Sequence, residues 1–390
     1  MVEWKTLNDL CSKITDGSHF SPQSVEDGFY MPSVKDMTTK GFDYSSCKKI
    51  SEEDYRSLIK TGCKPKKNDV LVAKDGSMLK YVFPVTKEEN IVVLSSIAIL
   101  TPKIEVIDSR YLSFYLLRSD VKEQTIREFS SKGGVPRIIL KNFKKIKIPV
   151  PSIQEQERVV GILDTFTSSI ENLKQQIAQR RKQYEYYRGQ LLDLEGKEGV
   201  EIKTLKDVFD TRNGYTPSTS NSQFWDDGII PWFKMEDIRD NGRILNDSNL
   251  HITTSAIKGK GLFKANSIIL ATSATIGEHA LITVEHLSNQ RFTNFYPKEC
   301  YLNIINMKFV YYYMYRIDEW CKQHINQGGF ASVDMGGLYN LEIPLPSLQE
   351  QQRIVSILDT FEASIQNLEA QLSKREKQYE YYRNKLLTFE

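Results

Sequence analysis

Apolar residues step four, three, four, three along one stretch of this chain: Val159, Leu163, Phe166, Ile170, Leu173, Ile177, then Arg180, Tyr184, Tyr187 and Leu191. That spacing is a heptad seam and predicts a helix that pairs with another helix along its length. The pattern returns from Ile354 to Leu386. Pro149 and Pro151 keep the preceding chain extended, and Ser152 followed by Glu155 has the spacing of a capping box, as do Ser347 and Glu350. About 42 residues at ~1.5 Å rise give a rod of about 60 Å, too long for one globular core. Two such rods in one chain are expected to pair with each other. Arg180 and Arg375 interrupt the seam, where a charge can fix register. Tyr186 and Tyr381, two positions from Tyr184 and Tyr379, point roughly to the other side of their helices.

The two stretches are copies. Residues 148–195 and 343–390 align without a gap, with about 30 of 48 positions identical, and "KQYEYYR" at 182–188 recurs at 377–383. Upstream, "VEWKTLNDL" from Val2 is echoed by "VEIKTLKDV" from Val200, and Gly133-Gly134 by Gly328-Gly329. Between those marks the two halves have diverged. The chain therefore divides into a variable segment 1–147, a constant segment 148–196, a second variable segment 197–342 and a second constant segment 343–390, with "GKEG" at 196–199 as the joint.

The variable segments read as mixed α/β. "DVLVAKDG" and "NSIILATSATIG" are short apolar strands running into glycine turns, "ENIVVLSSIAILTP" is a candidate strand pair, and "SRYLSFYLLRSD" and "NMKFVYYYMYRIDEW" carry helical spacing. Polar loops follow the strands: Lys74, Asp75, Ser77 and Lys80 in the first segment, and Thr272, Ser273, Thr275, Asn289, Gln290 and Arg291 in the second. Lys132 and Arg137 flank the first glycine pair, and Gln327 precedes the second. Side chains of these types read base edges or grip phosphate, and equally furnish solvated loops.

Charge supports nucleic-acid binding in one half only. The overall balance is +2, with +6 in residues 1–147 and −2 in 197–342. The longest apolar run, "IVVLSSIAIL" from Ile91, falls far short of the ~20 residues that span a bilayer, and "MVEWKTLNDL" lacks a signal layout, so a cytoplasmic protein is expected. Five scattered cysteines with no CxxC give neither a disulfide framework nor a zinc site. The chain holds no GxxxxGK[ST] phosphate loop, no GxSxG elbow, no HExxH, no GxGxxG after a strand and no Asn/Asp-Pro-Pro-aromatic tetrad of an amino-methyltransferase. "EIK" at Glu201 to Lys203 has the form of a nuclease E-x-K but repeats "EWK" near the N-terminus and adjoins the joint, which makes it part of the duplicated frame.

Two variable segments, each closing on Gly-Gly and followed by "IPVPSIQEQERVVGILD" or "IPLPSLQEQQRIVSILD" and a long helix, resemble the specificity subunits of type I restriction-modification systems over the whole chain. The stretch IPxPSxQEQ…LD, present twice, is what makes the resemblance specific. It implies an α+β fold in which two mixed α/β target-recognition domains are joined by two long helices forming an antiparallel coiled coil, with a pseudo-twofold internal repeat. Each domain would read one half of a bipartite, asymmetric site in double-stranded DNA. The helices would dock two modification subunits for adenine methylation, with restriction subunits joining for cleavage. No cofactor is expected in this chain: S-adenosylmethionine, ATP and Mg would belong to the partner subunits. The candidate DNA contacts are Lys74, Ser77, Lys80, Lys132, Arg137, Thr272, Ser273, Thr275, Gln290, Arg291 and Gln327; the candidate partner contacts are Arg181, Tyr186, Arg188, Tyr381 and Arg383. The acidic balance of 197–342 departs from a phosphate-gripping domain and puts in question the share of affinity carried by that half. Two other classes compete: a coiled-coil scaffold holding two non-DNA partners, which footprinting separates, and an enzyme with unfamiliar motifs, which S-adenosylmethionine binding by the isolated chain separates.

Because both helices carry one seam, helix one can stand in for helix two. A chain ending near residue 196 is expected to pair with a second copy of itself, burying the seam at roughly 25 cal/mol per Å². Light scattering that returns a folded monomer would contradict the equivalence of the two helices.

Overall fold

The computed structural model describes residues 2–131, 136–326 and 331–389. Its contacts fall into two compact units, Met1–Gln175 with Glu369–Glu390, and Gln176–Leu368. Each unit thus combines one variable segment with a piece of both long helices, whereas the sequence marks set each helix apart as a segment of its own. The reason is that each seam has two tasks: its start closes the core of a variable segment, and the rest meets the other helix.

In the first unit, the strand Glu3–Thr6 pairs antiparallel with Lys147–Val150, so the variable chain leaves and returns side by side. Thr6 then caps the short helix Leu7–Leu10 in a capping box with Asp9. A four-stranded antiparallel sheet follows, in the order Cys11–Asp16, Ile97–Pro102, Val70–Ala73, Val82–Pro84. Val70–Ala73 is apolar throughout because both its faces are covered. Val70, Val72 and Leu100 share a core with Tyr111 and Leu112 of the helix Ser109–Leu116 and with Val159 and Leu163 of the first long helix. Leu71, Phe83 and Ile99 pack on the opposite side with Met37.

The second unit repeats the frame. Glu201–Thr204 pairs antiparallel with Glu342–Leu345, and Thr204 and Asp207 form the capping box. The sheet has five strands, ordered Phe209–Asn213, Phe292–Pro297, Ser267–Ala271, His279–Ile282, Ile244–Leu245, the last pair parallel. The helix Met307–Gln323 covers one face: Ile268 and Phe295 meet Phe309 and Tyr312, together with Ile354 and Leu358 of the second long helix. A three-stranded sheet, His251–Ile252, Ile230–Phe233, Leu287–Ser288, stands beside it; the first unit has the pair Phe29–Tyr30 and Lys49–Ile50 with an isolated parallel bridge from Tyr30 to Ile91.

One expected element differs. "ENIVVLSSIAILTP" supplies a single sheet strand, Ile97–Pro102. Ile91–Val93 is buried, but Ile91–Leu94 makes only isolated bridges, Ile91 parallel to Tyr30 of the short strand Phe29–Tyr30 and Leu94 parallel to Ser18, with the Val92 N–H donating to Tyr30 C=O at 3.3 Å, the Val93 N–H to Cys63 C=O at 3.0 Å and the Leu94 N–H to Pro32 C=O at 3.0 Å. The apolar run met its burial requirement without entering a ladder, and periodicity does not distinguish the two outcomes.

The long helices are Ile153–Leu191 and Leu348–Leu386, 39 residues each. In the first unit Phe166 stacks on Tyr382, centroids 5.3 Å apart, with the Arg375 guanidinium 5.7 Å over the Phe166 ring. In the second unit the copies exchange roles: Phe361 stacks on Tyr187 at 5.4 Å, and Arg180 lies 5.8 Å over Phe361. The early part of each helix thus faces the late part of the other, which is antiparallel pairing. The arginines that break the seam sit on the rings their own helix meets, keeping charge toward water while covering apolar surface.

The helix starts explain the duplicated "PSxQEQ". Ser152 Oγ accepts from the Glu155 N–H at 3.3 Å, and Ser347 Oγ from that of Glu350 at 3.3 Å. The return half of the expected capping box is replaced: each glutamate binds the arginine three residues on, Glu155 to Arg158 and Glu350 to Arg353, which holds both carboxyls below the usual carboxylate range. The next glutamine is fully buried. Gln156 Oε1 accepts from the Asp108 N–H at 2.8 Å, while its Nε2 donates to the carbonyls of Val106 (3.0 Å) and Pro151 (2.9 Å). Gln351 does the same with the Asn306 N–H, Ile304 and Pro346. Asp108 and Asn306 are the N-caps of Ser109–Leu116 and Met307–Gln323, so one amide fastens the start of a domain helix to the start of a long helix. Gln156→Ala leaves one N–H and two carbonyls without partners in a dry site and is expected to destabilise the first unit by about 3 kcal/mol. Urea unfolding measures it, and a loss below about 1 kcal/mol would show that the amide is dispensable.

Candidate nucleic-acid interface

The strand registers deliver loops to one end of each sheet. Asp16 lies opposite Ala98 and Ala73 opposite Ile97, so the loops that begin at Gly17 and Lys74 emerge together. The segment around Arg137 joins them: the Gly76 N–H donates to Pro136 C=O at 2.8 Å, the Ile138 N–H to Lys74 C=O at 3.0 Å, and Asp75 bridges Arg137. The second unit builds the same end from Asn213 opposite Thr293 and Ala271 opposite Phe292. There Ser273 bridges Ser332, and the Val333 N–H donates to Thr272 C=O at 2.9 Å.

Gly17 and Gly214 make the close packing possible. A Cβ on Gly17 would lie 2.0 Å from Val93 O, and one on Gly214 2.2 Å from Ser288 O, so only glycine lets the first loop run against the neighbouring backbone. The loops are locked by different chemistry. In the first unit Lys74 Nζ, buried, lies 3.1 Å from Asp16 and 3.6 Å from Asp75. In the second, the Thr293 hydroxyl donates to Asn213 at 2.9 Å and lies 3.0 Å from that of Thr272, also buried.

Lys74 and Thr272 are therefore not exposed loop residues as expected; they are the internal fastenings of their loops. A lysine at a strand end acquires buried partners only through the fold, here Asp16 from the end of the strand Cys11–Asp16. Ser77, Ser273 and Thr275 are half-buried at the loop ends, and Lys80 and Arg137 are exposed, Lys80 lying 5.2 Å over the Tyr81 ring. Gln290 and Arg291 are exposed, the Thr216 hydroxyl donating to Gln290 Oε1 at 2.6 Å. The Asn289 Oδ1 accepts from the Arg291 N–H at 3.0 Å. Lys132 and Gln327, with both Gly-Gly pairs, lie outside the described residues. The structure adds Ser18, His19 and Phe20 to the first end and Tyr215 and Thr216 to the second; the Phe20 ring is 66% exposed. Their signal was the Asp-Gly and Asn-Gly that follow the first strand of each sheet.

The candidate partner contacts separate into two groups. Tyr186 and Tyr381 are exposed, 62% and 59%, each edge-on to the next tyrosine at 5.3 Å, and Arg181 is exposed beside Lys182. Arg188 and Arg383 turn inward instead. Arg188 lies 4.0 Å over Tyr315 and 5.1 Å over Tyr184, and Arg383 lies 5.3 Å over Tyr379 with its Nε buried. Aromatic rings from the same fold outcompete solvent for these guanidinium groups.

No cluster of three or more His, Cys, Asp or Glu able to hold a metal ion occurs among the described residues. Burial pushes the His286 imidazole down to about 4, while its Nδ1 bonds Val284 C=O at 3.0 Å, so this ring is a neutral core group near Phe233 and Phe263. Burial likewise pushes the Cys321 thiol up to about 12. No helix among the described residues is long and apolar enough to cross a membrane.

The duplicated frame presents two equivalent loop clusters with unlike side chains. The chain belongs to the type I restriction modification DNA specificity domain family, which it matches over residues 1–180 and 197–375. It is similar to the type I restriction enzyme EcoprrI specificity subunit of Escherichia coli, 50% identical over 205 residues that make up 49% of this chain and 51% of that one. It is also similar to the EcoR124I/EcoR124II specificity subunit of Escherichia coli, 36% identical over 66% of this chain and 67% of that one. The matched region thus spans about half the length of the first relative. The type-I restriction-modification system S subunit from M. genitalium shares the fold, with a TM-score of 0.57 at 16% identity over 100% of this chain and 97% of that one. So does the HsdS subunit from Thermoanaerobacter tengcongensis, with 0.54 at 17% over 99% and 96%.

If the sheet end of the first unit meets a phosphate backbone, Lys80→Ala with Arg137→Ala should lower the slope of log affinity against log salt by up to about two units, because each phosphate contact contributes close to one. Lys74→Ala should instead lower stability, since it leaves Asp16 and Asp75 without their buried cation. Salt titrations of DNA binding and thermal melts of the two variants separate these effects; an unchanged slope in the double variant would place the phosphate contacts elsewhere.

Proposed function

We propose that this chain is the DNA sequence-specificity subunit of a type I restriction-modification complex, non-catalytic in itself. Each unit reads one half of a bipartite asymmetric site in double-stranded DNA with the loops at one end of its sheet, and the helix pair carries two modification subunits positioned for adenine methylation. Restriction subunits join for cleavage. S-adenosylmethionine is used in the modification subunits, and ATP and Mg in the restriction subunits, in the cytoplasm. Tyr186 and Tyr381, with Arg181, are the surface repeated for the repeated partner. The observation that carries this reading is that a duplicated backbone frame ends in two equivalent loop clusters whose side chains differ, which suits two different half-sites read from one scaffold. The +6 balance of residues 1–147, against −2 for 197–342, supports a larger share of phosphate affinity in the first unit.

Exchanging residues 205–325 for the matching segment of a relative is expected to alter one half of the methylated sequence and leave the other half and the spacing unchanged. Methylome sequencing of cells carrying the exchanged chain with its modification subunits reads this out. Loss of both halves from a complex that still assembles would contradict independent reading, and an absence of any methylated motif from the parent chain would sink the assignment itself.

A further inference from the structure

The hairpin that carries Thr272, Ser273 and Thr275 stands on a buried ionic cluster. Its strands Ser267–Ala271 and His279–Ile282 pair so that Leu270 faces His279, which places His279 at the foot of the hairpin. His279 is fully buried, and its Nδ1 lies 2.7 Å from Oδ2 of Asp318, itself buried. Arg243 Nη1 reaches the same carboxylate oxygen at 3.0 Å, and its guanidinium lies 5.0 Å over the Tyr315 ring. Tyr311, Tyr315 and Asp318 follow at steps of four and three, so the helix Met307–Gln323 turns all three toward His279, whose ring is 5.2 and 4.8 Å from the tyrosines. The hairpin also backs directly onto this helix: a Cβ on Gly277 would lie 2.5 Å from Asp318 O.

The same helix governs the hairpin tip. After Gln323 the chain forms Ile325–Asn326, which pairs with Ser332–Val333, and Ser332–Val333 is bonded to Thr272 and Ser273. At its other end the helix is held to the second long helix, by the Gln351 amide, by Lys308 to Asp359 at 2.7 Å and by the Tyr312 hydroxyl to Asp359 at 2.5 Å and Glu362 at 3.1 Å. One rigid rod thus fixes both the foot and the tip of the hairpin against the long-helix frame. The first unit does this differently. Its helix is broken into Ser109–Leu116 and Ser119–Phe129, and Met78 and Leu79 of its hairpin join an apolar core with Tyr115 and Val121. The buried ionic group of the first unit lies in the loop itself, where Lys74 Nζ meets Asp16 and Asp75, so the link from hairpin to domain helix is apolar in the first unit and ionic in the second. Among the described residues His279 Nε2 and Asp318 Oδ1 find no hydrogen-bond partner, so the cluster is retained at a desolvation cost.

We propose that Asp318, with His279 and Arg243, is a positioning set for specificity: it holds the hairpin of residues 272–277 in the one placement that reads the second half-site. This rests on the assignment as a DNA-specificity subunit. The set does not touch DNA; it acts through Ser273 and Thr275.

The test uses the full chain in complex with its modification subunits and measures affinity for the cognate duplex and for duplexes altered at single bases of either half-site. The unaltered chain must discriminate at both halves; if it discriminates at neither, the DNA-specificity assignment fails, and this inference with it. Asp318→Asn and Arg243→Met are expected to lose about tenfold in discrimination at the second half-site, the scale of one loosened base contact, while discrimination at the first is kept. Arg243→Lys should restore most of the loss, which a role in bulk stability alone does not predict at constant fold. Equal losses at both halves, or full discrimination at the second half by a folded variant, would overturn the inference. If Asp318→Asn fails to fold, Arg243→Met and its lysine rescue decide the matter.

Discussion

A buried amide side chain sets the frame on which both units depend. Gln156 and Gln351 each satisfy one backbone N–H and two carbonyls at the point where three pieces of chain converge: the proline-bounded strand, the domain helix and the long helix. An apolar residue of similar size would leave all three backbone groups unpaired, and a surface polar residue would not reach them. With the amide in place, the start of the domain helix has a fixed position relative to the start of the long helix, and the sheet packs on what those two helices leave. Asp164 and Asp359 extend the joint by about two more turns, bonding Arg110 and Lys308 at 2.7 Å in the two copies. Identity of sequence in the constant segments thus has a local cause.

The two reading ends show how much freedom such a frame leaves. One is fastened by an ammonium between two carboxylates, the other by an amide and two hydroxyls. The backbone that they hold is the same: a glycine against the neighbouring strand, a hairpin and a bridging segment from beyond the domain helices. Divergence is confined to what backbone geometry does not require. The difference in charge between the halves follows from this, because nothing in the frame constrains the sign of the loops.

The parts governed by local periodicity were legible in the sequence. The heptad seam gave both long helices, the serine before each gave their starts, and the apolar runs ending in Gly turns gave the central strands. Residues whose role depends on distant partners were not. Lys74 and Thr272 read as loop residues because Asp16 and Thr293 reach them only across the sheet, and Arg188 read as surface because the Tyr315 ring that captures it lies on another element. Gln156 and Gln351 were visible as a motif and not as a mechanism, since a glutamine among glutamates in a helix start looks solvated until the carbonyls of Val106 and Ile304 arrive. The extended segment Ile91–Leu94 shows the same limit: burial was readable, the destination of its hydrogen bonds was not.

The paired strands at the neck of each variable segment have a further consequence. Glu3 faces Val150 and Glu201 faces Leu345, so the chain that enters a variable segment and the chain that leaves it are neighbours in one ladder, joined by main-chain bonds that ignore side-chain identity. A segment attached in this way is a closed loop hung from a single point. Its length and content can change while the point of attachment stays put, so the protein can inherit a new vocabulary in one event without relearning how to stand.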